Sequence, residues 1–258
     1  MSPEPDPAHL DAGRMTLWEH IAELRQRLIR VAIAVGVGTV LGWVLYPYVL
    51  DFLIAPYKSV QADATLTGFS LLEPFTVRIQ TSVYLGIIFA MPVILWQIWR
   101  FVTPGLYPHE KKYAIPFVTA SLLLFLLGAA IAYWTLPAAI TFLIGVAGDS
   151  VTILPGIESY LKLNLFMMLA FGIGFEFPVL LVALQLAGVL TPRKLNSWRR
   201  QAIIIIVVVA AVITPSGDPI SMLALAIPMY IFYEASIVLG WLLTRRKRKR
   251  EAKAATPS

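Results

Sequence analysis

Three acidic residues stand where a charge needs an explanation. Glu176, in FGIGFEFP (171–178), is the sole charged residue between positions 163 and 192. An acid near the middle of an apolar span costs at least ~2.5–3.5 kcal/mol on insertion scales, so its side chain should face protein or a polar cavity. Pro178 frees the carbonyl of residue 174, and Gly172 and Gly174 permit a bend or a close helix approach. Glu176 can carry a proton, or stay neutral and bond to Gln97 or Gln185. Glu110 is the one acid of RFVTPGLYPHEKKY (100–113), beside Lys111 and Lys112. Pro104, Gly105 and Pro108 stiffen that loop, and Phe101, Leu106 and Tyr107 give it apolar surface. A carboxylate presented this way can accept the two parallel N–H groups of a guanidinium; the alternative is an ordinary solvated charge. Glu23 lies in WEHIAELRQRL (18–28), followed by Arg25, Arg27 and Arg30. Glu23 and Arg27 attract at i,i+4 while Glu19 and Glu23 repel, so pairing within the helix explains this segment only in part.

Covalent and metal chemistry have little to work with. Cysteine is absent, and the three histidines (His9, His20, His109) lie outside the apolar segments. There is no H-E-x-x-H, no phosphate-binding G-x-x-x-x-G-K-[ST], and no pair of aspartates inside a span. The chain therefore reads as a non-enzyme with no metal and no cofactor.

The elements that must position these acids are membrane helices. Of 258 residues, 58% are hydrophobic and 14% charged, against roughly 45–50% and 25% in soluble domains; mean hydropathy is +0.75. Charge-free runs cover 31–50, 79–99, 113–148 and 201–217, while 219–244 holds Glu234 alone. A span needs ~20 apolar residues, and no segment shows the period-two pattern of a membrane barrel. Six helical spans are expected, near 28–47, 76–101, 114–136, 160–188, 199–214 and 220–242. The third should stop at Pro137. The stretch 18–28, with Trp18, Ile21, Leu24 and Leu28 on one stripe, should lie at the interface as a lead-in to the first. Residues 1–14 read as a disordered tail, 15–243 as the membrane domain and 244–258 as a basic tail.

Charge sets the expected orientation. Of 21 Lys and Arg, 18 fall in the N-terminal region, the second-to-third and fourth-to-fifth connections, and the C-terminal tail. Both termini should therefore be cytoplasmic. The net charge of +6 follows from this bias. The RRKRKR tail is read as an anchor to anionic lipid, not as a nucleic-acid site. Long outer loops, about 47–74 and 137–158, should fold over the outer face. The last two spans look short: 14 residues separate Arg200 from Pro215, about 21 Å of helix against a core of about 30 Å. Asp218 before Pro219 suits a helix N-cap. Glu234 should snorkel or pair with basic residues.

Several motifs then coincide in order. HIAELRQRL, APY (55–57), EPF (73–75), PVILWQIWRFVTPGLYPHEKK (92–112), FGIGFEFPV, ITPSGDP (213–219) and LAIPMYIFYE (225–234) resemble TatC, the multispanning subunit of the twin-arginine protein translocase. The resemblance covers about 14–243. It implies a six-helix, N-in/C-in, concave glove-like bundle in the bacterial cytoplasmic membrane. It implies a receptor for Arg-Arg signal peptides of folded cargo, driven by the proton-motive force and not by ATP. The partners implied are TatA-like and TatB-like single-span proteins, the lipid bilayer and further copies of the chain. By motif position, Glu23 and Glu110 look like the signal-binding acids. Phe101, Pro104 and Leu106 flank them, and Arg25 matches a further functional position. Glu176, with Gln97 and Pro178, looks like the place where partner helices dock, while Pro56 and Asp218 belong to the outer cap. Met222 departs from members that carry a polar residue early in the last helix. A proton-coupled small-solute transporter, with Glu176 carrying the proton, is the competing reading.

Overall fold

The computed structural model describes residues 17–61, 66–102, 114–148, 155–186, 188–215 and 217–254. Among these the chain is helical: α1 (Leu17–Val60), α2 (Glu73–Val102), α3 (Ala114–Ala147), α4 (Ile157–Gly174), α5 (Phe177–Leu186), α6 (Pro192–Ser197), α7 (Arg199–Ile213) and α8 (Pro219–Ala254). Helices satisfy every backbone group internally, which an apolar solvent demands. Five helical segments are long and apolar enough to cross a membrane, α4 and α5 counting as one. At 15 residues, α7 is roughly 22 Å long, short of the hydrocarbon core of about 30 Å.

Several helices run past their expected ends. The lead-in 18–28 is not a separate element: α1 is continuous over 44 residues and carries Pro47 and Pro56 inside it, so most of the expected first loop is helix. Proline removes an N–H and leaves the carbonyl four residues earlier without a donor. Here other helices supply one. Arg78 Nη2 donates to Trp43 O at 3.1 Å, opposite Pro47, and Tyr133 Oη donates to Phe52 O at 2.8 Å, opposite Pro56. The Arg78 guanidinium also lies 4.3 Å from the Trp43 ring centre. Likewise α3 does not stop at Pro137 but continues to Ala147. It ends at Gly148, whose φ of 69° is the left-handed conformation that closes helices cheaply only at glycine. The fourth span is broken, with Phe175 and Glu176 between α4 and α5. The helix of α8 extends into the basic tail as far as Ala254. The short α6 was not expected; Thr191 caps it by accepting from Lys194 N.

The freed carbonyl at Phe52 gives a direct test. Tyr133→Phe is expected to lower stability by about 1 kcal/mol, because the carbonyl freed by Pro56 loses its donor. In a Pro56→Ala background the helix regains its own N–H, and the same change should then cost under about 0.5 kcal/mol. Thermal unfolding of the four proteins in detergent measures this; equal losses in both backgrounds would refute the link.

The core forms around α4, which carries the buried Leu161, Asn164, Leu165, Met167 and Phe171. Leu53, Tyr57, Leu136, Phe175, Leu225 and Met229 pack into the same cluster. On α4, Tyr160 Oη and Asn164 Nδ2 both donate to Leu53 O of α1, at 2.7 and 2.9 Å. Backbones approach closely between α1 and α2, where a Cβ on Gly38 would lie 2.6 Å from Gly86 O. At the far end of that pair, the buried Glu73 accepts from Phe69 N (2.5 Å), Ser70 N (3.2 Å) and, across to α4, Glu158 N (3.4 Å). Thr67 pairs with Pro155 and Ile157 through backbone bonds of 3.2 and 3.1 Å. The segment before α2 is thereby tied to the start of α4.

Candidate functional site

The first cluster lies where the start of α1 meets the end of α2. Arg27 is buried, 8% exposed. Its guanidinium donates to Arg100 O at 3.1 Å and Gln97 O at 3.4 Å, and it pairs with the Glu23 carboxylate. The carbonyls of a helix's last turn lack internal donors and carry the negative end of its dipole. A cation at Arg100 O is therefore favourable, and it fastens α1 to α2. Glu23 Oε1 faces Arg27, while Oε2 is buried with no hydrogen-bond partner. Phe101, half-buried, follows Arg100 directly. Next to it Trp99 stacks on Phe117 of α3, centroids 4.5 Å apart.

Arg25 does not join this cluster. It is exposed, because residues two apart on a helix point to different sides. Trp18, Ile21, Leu24 and Leu28 are also exposed, and they form an apolar stripe facing away from the protein. Pro104, Leu106 and Glu110 lie outside the described residues.

The second cluster surrounds the break between α4 and α5. Glu176, half-buried, sits in the turn. Its N–H bonds to Ile173 O at 3.0 Å and its carbonyl accepts from Leu180 N at 3.1 Å, so the chain re-enters a helix at once. Pro178 falls in the first turn of α5, where its missing N–H is harmless. Ser121 of α3 lies beside the Glu176 side chain, and Glu176 Oε1 is buried without a hydrogen-bond partner. The polar neighbour of Glu176 is thus Ser121. Gln185 instead donates to Ser236 O of α8 at 3.1 Å, and Gln97 contributes its carbonyl to Arg27.

Two further residues have definite places. Asp218 caps α8, accepting from Ser221 N at 2.6 Å, and is fully buried. Glu234 pairs with Arg199 of α7 at 2.6 Å and accepts from Tyr230 Oη at 3.0 Å. The sequence by itself gives no role to Arg78, Ser121 or Tyr133, marks Arg27 only as the i,i+4 partner of Glu23, and marks Glu73 only as part of the EPF motif. Counting four residues back from Pro47 and Pro56 would have exposed the two acceptors, though not their donors. Among the described residues no group of His, Asp and Glu could hold a metal ion.

These features define an all-helical, multi-pass membrane protein with an anchored arginine–glutamate pair at one end of the bundle and one acid at a helix break within it. A family model described as Sec-independent protein translocase protein (TatC) matches residues 19–228. The TatC of Aquifex aeolicus is 41% identical over 91% of this chain and 98% of its own length. That of Frankia casuarinae is 40% identical over 93% of this chain and 70% of its own. A solved structure of the twin-arginine translocase receptor TatC, 41% identical, superposes with a TM-score of 0.73, covering 88% of this chain and all of that one. The chain belongs to the TatC family, the core subunits of Sec-independent protein translocases. The small-solute transporter reading finds no support in these likenesses and is set aside.

Proposed function

We propose that the chain is the signal-peptide receptor of its translocase. It recognises the Arg-Arg region of folded cargo at the cytoplasmic face and works with TatA-like and TatB-like single-span partners and with further copies of itself. Transport is driven by the proton-motive force. The chain crosses the bacterial cytoplasmic membrane six times, with both termini inside, and α7 supplies the fifth, short span. The membrane domain is 15–243, between a tail at 1–14 and the basic segment 244–258. Glu23 and Glu110 accept the guanidinium groups, with Phe101, Pro104 and Leu106 as the apolar flank and Arg25 as a further contributor. Glu176, with Gln97 and Pro178, receives a partner helix. Pro56 and Asp218 hold the outer end in shape.

The observation that carries the reading is the Glu23 carboxylate, held at the α1–α2 junction with one buried oxygen lacking a donor. A cationic ligand with paired N–H donors suits it. Lys and Arg at this end of the helices support the orientation.

A photocrosslinker at Phe101 or Glu110, in membranes, tests the reading. It is expected to capture a signal peptide carrying Arg-Arg and to lose it when the pair is Lys-Lys. Equal capture of both peptides, or of neither, would remove the receptor role from this loop.

A further inference from the structure

We propose that Arg27 is the positioning residue of the signal site: it sets the Glu23 carboxylate for an incoming guanidinium and stays in place when the ligand binds. This rests on the receptor reading above.

A buried guanidinium must find acceptors for its donors. Arg27 finds two on the α2 backbone, Arg100 O at 3.1 Å and Gln97 O at 3.4 Å, and these do not depend on Glu23. The third acceptor is Glu23 Oε1. Arg27 is therefore anchored on α2 and Glu23 is anchored on Arg27. The Arg27 side chain is 10% exposed and that of Glu23 22%, so Glu23 is the more open member of the pair.

A rival reading makes Arg27 a stand-in for the ligand's arginine, displaced when the peptide arrives. Displacement would strip the donor from Arg100 O at the negative end of α2 and send a buried cation elsewhere. Retention leaves those bonds intact and offers Glu23 Oε2, which is buried with no partner. The other ionisable side chains described around this junction are cations: Arg25 and Arg30, exposed on α1, and Arg100 on α2. Here attraction for a cationic peptide therefore rests on how the Glu23 carboxylate is turned, and Arg27 sets that orientation.

The test uses the full chain in lipid nanodiscs, titrated with an Arg-Arg signal peptide and its Lys-Lys variant. Arg27→Gln is expected to weaken Arg-Arg binding about tenfold and to lower the Arg-Arg to Lys-Lys affinity ratio. Arg27→Lys keeps the charge but not the planar fork, and should recover only part of the loss. In a Glu23→Gln background, Arg27→Gln should add less than about twofold, because it acts through Glu23. Should Arg27→Gln fail to insert, Arg27→Lys decides, since a reduced ratio is still expected of it. Unchanged or tighter binding in the Arg27 variants, or equal losses with and without Glu23, would overturn the proposal. A wild-type protein with no preference for Arg-Arg would instead refute the receptor reading, whereas failure of the Arg27 role alone leaves that preference intact in the wild type and in the Arg27 single variants.

Discussion

Glu110→Gln is expected to weaken binding of an Arg-Arg signal peptide by roughly 30- to 100-fold, and to stop export of a folded reporter. A hydrogen bond to a charged group contributes about 1.5–3 kcal/mol, and each 1.4 kcal/mol is about tenfold in affinity. Glutamine keeps the shape, but it removes the charge and replaces one acceptor with a donor that faces the guanidinium donors. The surroundings enlarge the effect. Glu110 is the one acid between Arg100 and Tyr113, next to Lys111 and Lys112, so its loss leaves a wholly cationic loop facing a cationic peptide. The Lys-Lys peptide should lose less, because a lysine ammonium cannot use both carboxylate oxygens as a fork does. Binding in nanodiscs at two salt concentrations, with reporter export in cells, measures this. A change below about threefold at low salt, where exposed charges act most strongly, would refute the role of this carboxylate.

The second large effect is on packing. Gly128→Val is expected to destabilise the bundle by about 3 kcal/mol or more. A Cβ at Gly128 would lie 2.6 Å from Phe171 O, 2.9 Å from Phe171 C and 3.0 Å from Gly172 Cα. All three are backbone atoms of α4, so no rotamer change relieves the clash and α3 must move away. That separation would open the packing of Phe125 and Phe171, both fully buried. Gly145, on the same helix, has nothing within 4 Å of its would-be Cβ. Gly145→Ala should therefore be neutral, or stabilising by up to about 1 kcal/mol through helix propensity. Melting temperatures of the two variants in detergent, by intrinsic tryptophan fluorescence, provide the comparison. Similar melting of both would show that α3 and α4 are not held at this distance.

Hydropathy and charge bias are legible in the chain itself, because membrane insertion depends on local composition. The bilayer selects apolar runs of a given length and turns Lys and Arg to one side, and both properties can be counted along a chain. Helix ends were harder to read. A proline signals a stop when its freed carbonyl has no donor, and at Pro47 and Pro56 the donors come from Arg78 and Tyr133, 35 and 81 residues from the carbonyls they reach. Local reading could not see them, so it closed the first span too early. Nothing near Pro137 forced a stop either, and the helix ran on to Gly148.

The candidate site divides along the same line. Glu176 was conspicuous because an acid in an apolar run is improbable unless something compensates it. Its polar neighbour Ser121, 55 residues earlier in the chain, is brought beside it only by the packing of α3 against the α4–α5 break. Glu23 could be singled out from its spacing to Arg27, an i,i+4 relation that any helix imposes. That Arg27 is buried, and fastened to the end of α2 through two carbonyls, follows from neither residue's type. Residue type and spacing along the chain determined the helical membrane character and the acids worth examining. Which oxygen of each acid is engaged, and by what, was decided by tertiary packing, because hydrogen bonds depend on angstrom-scale distances between helices that the linear order of residues does not encode.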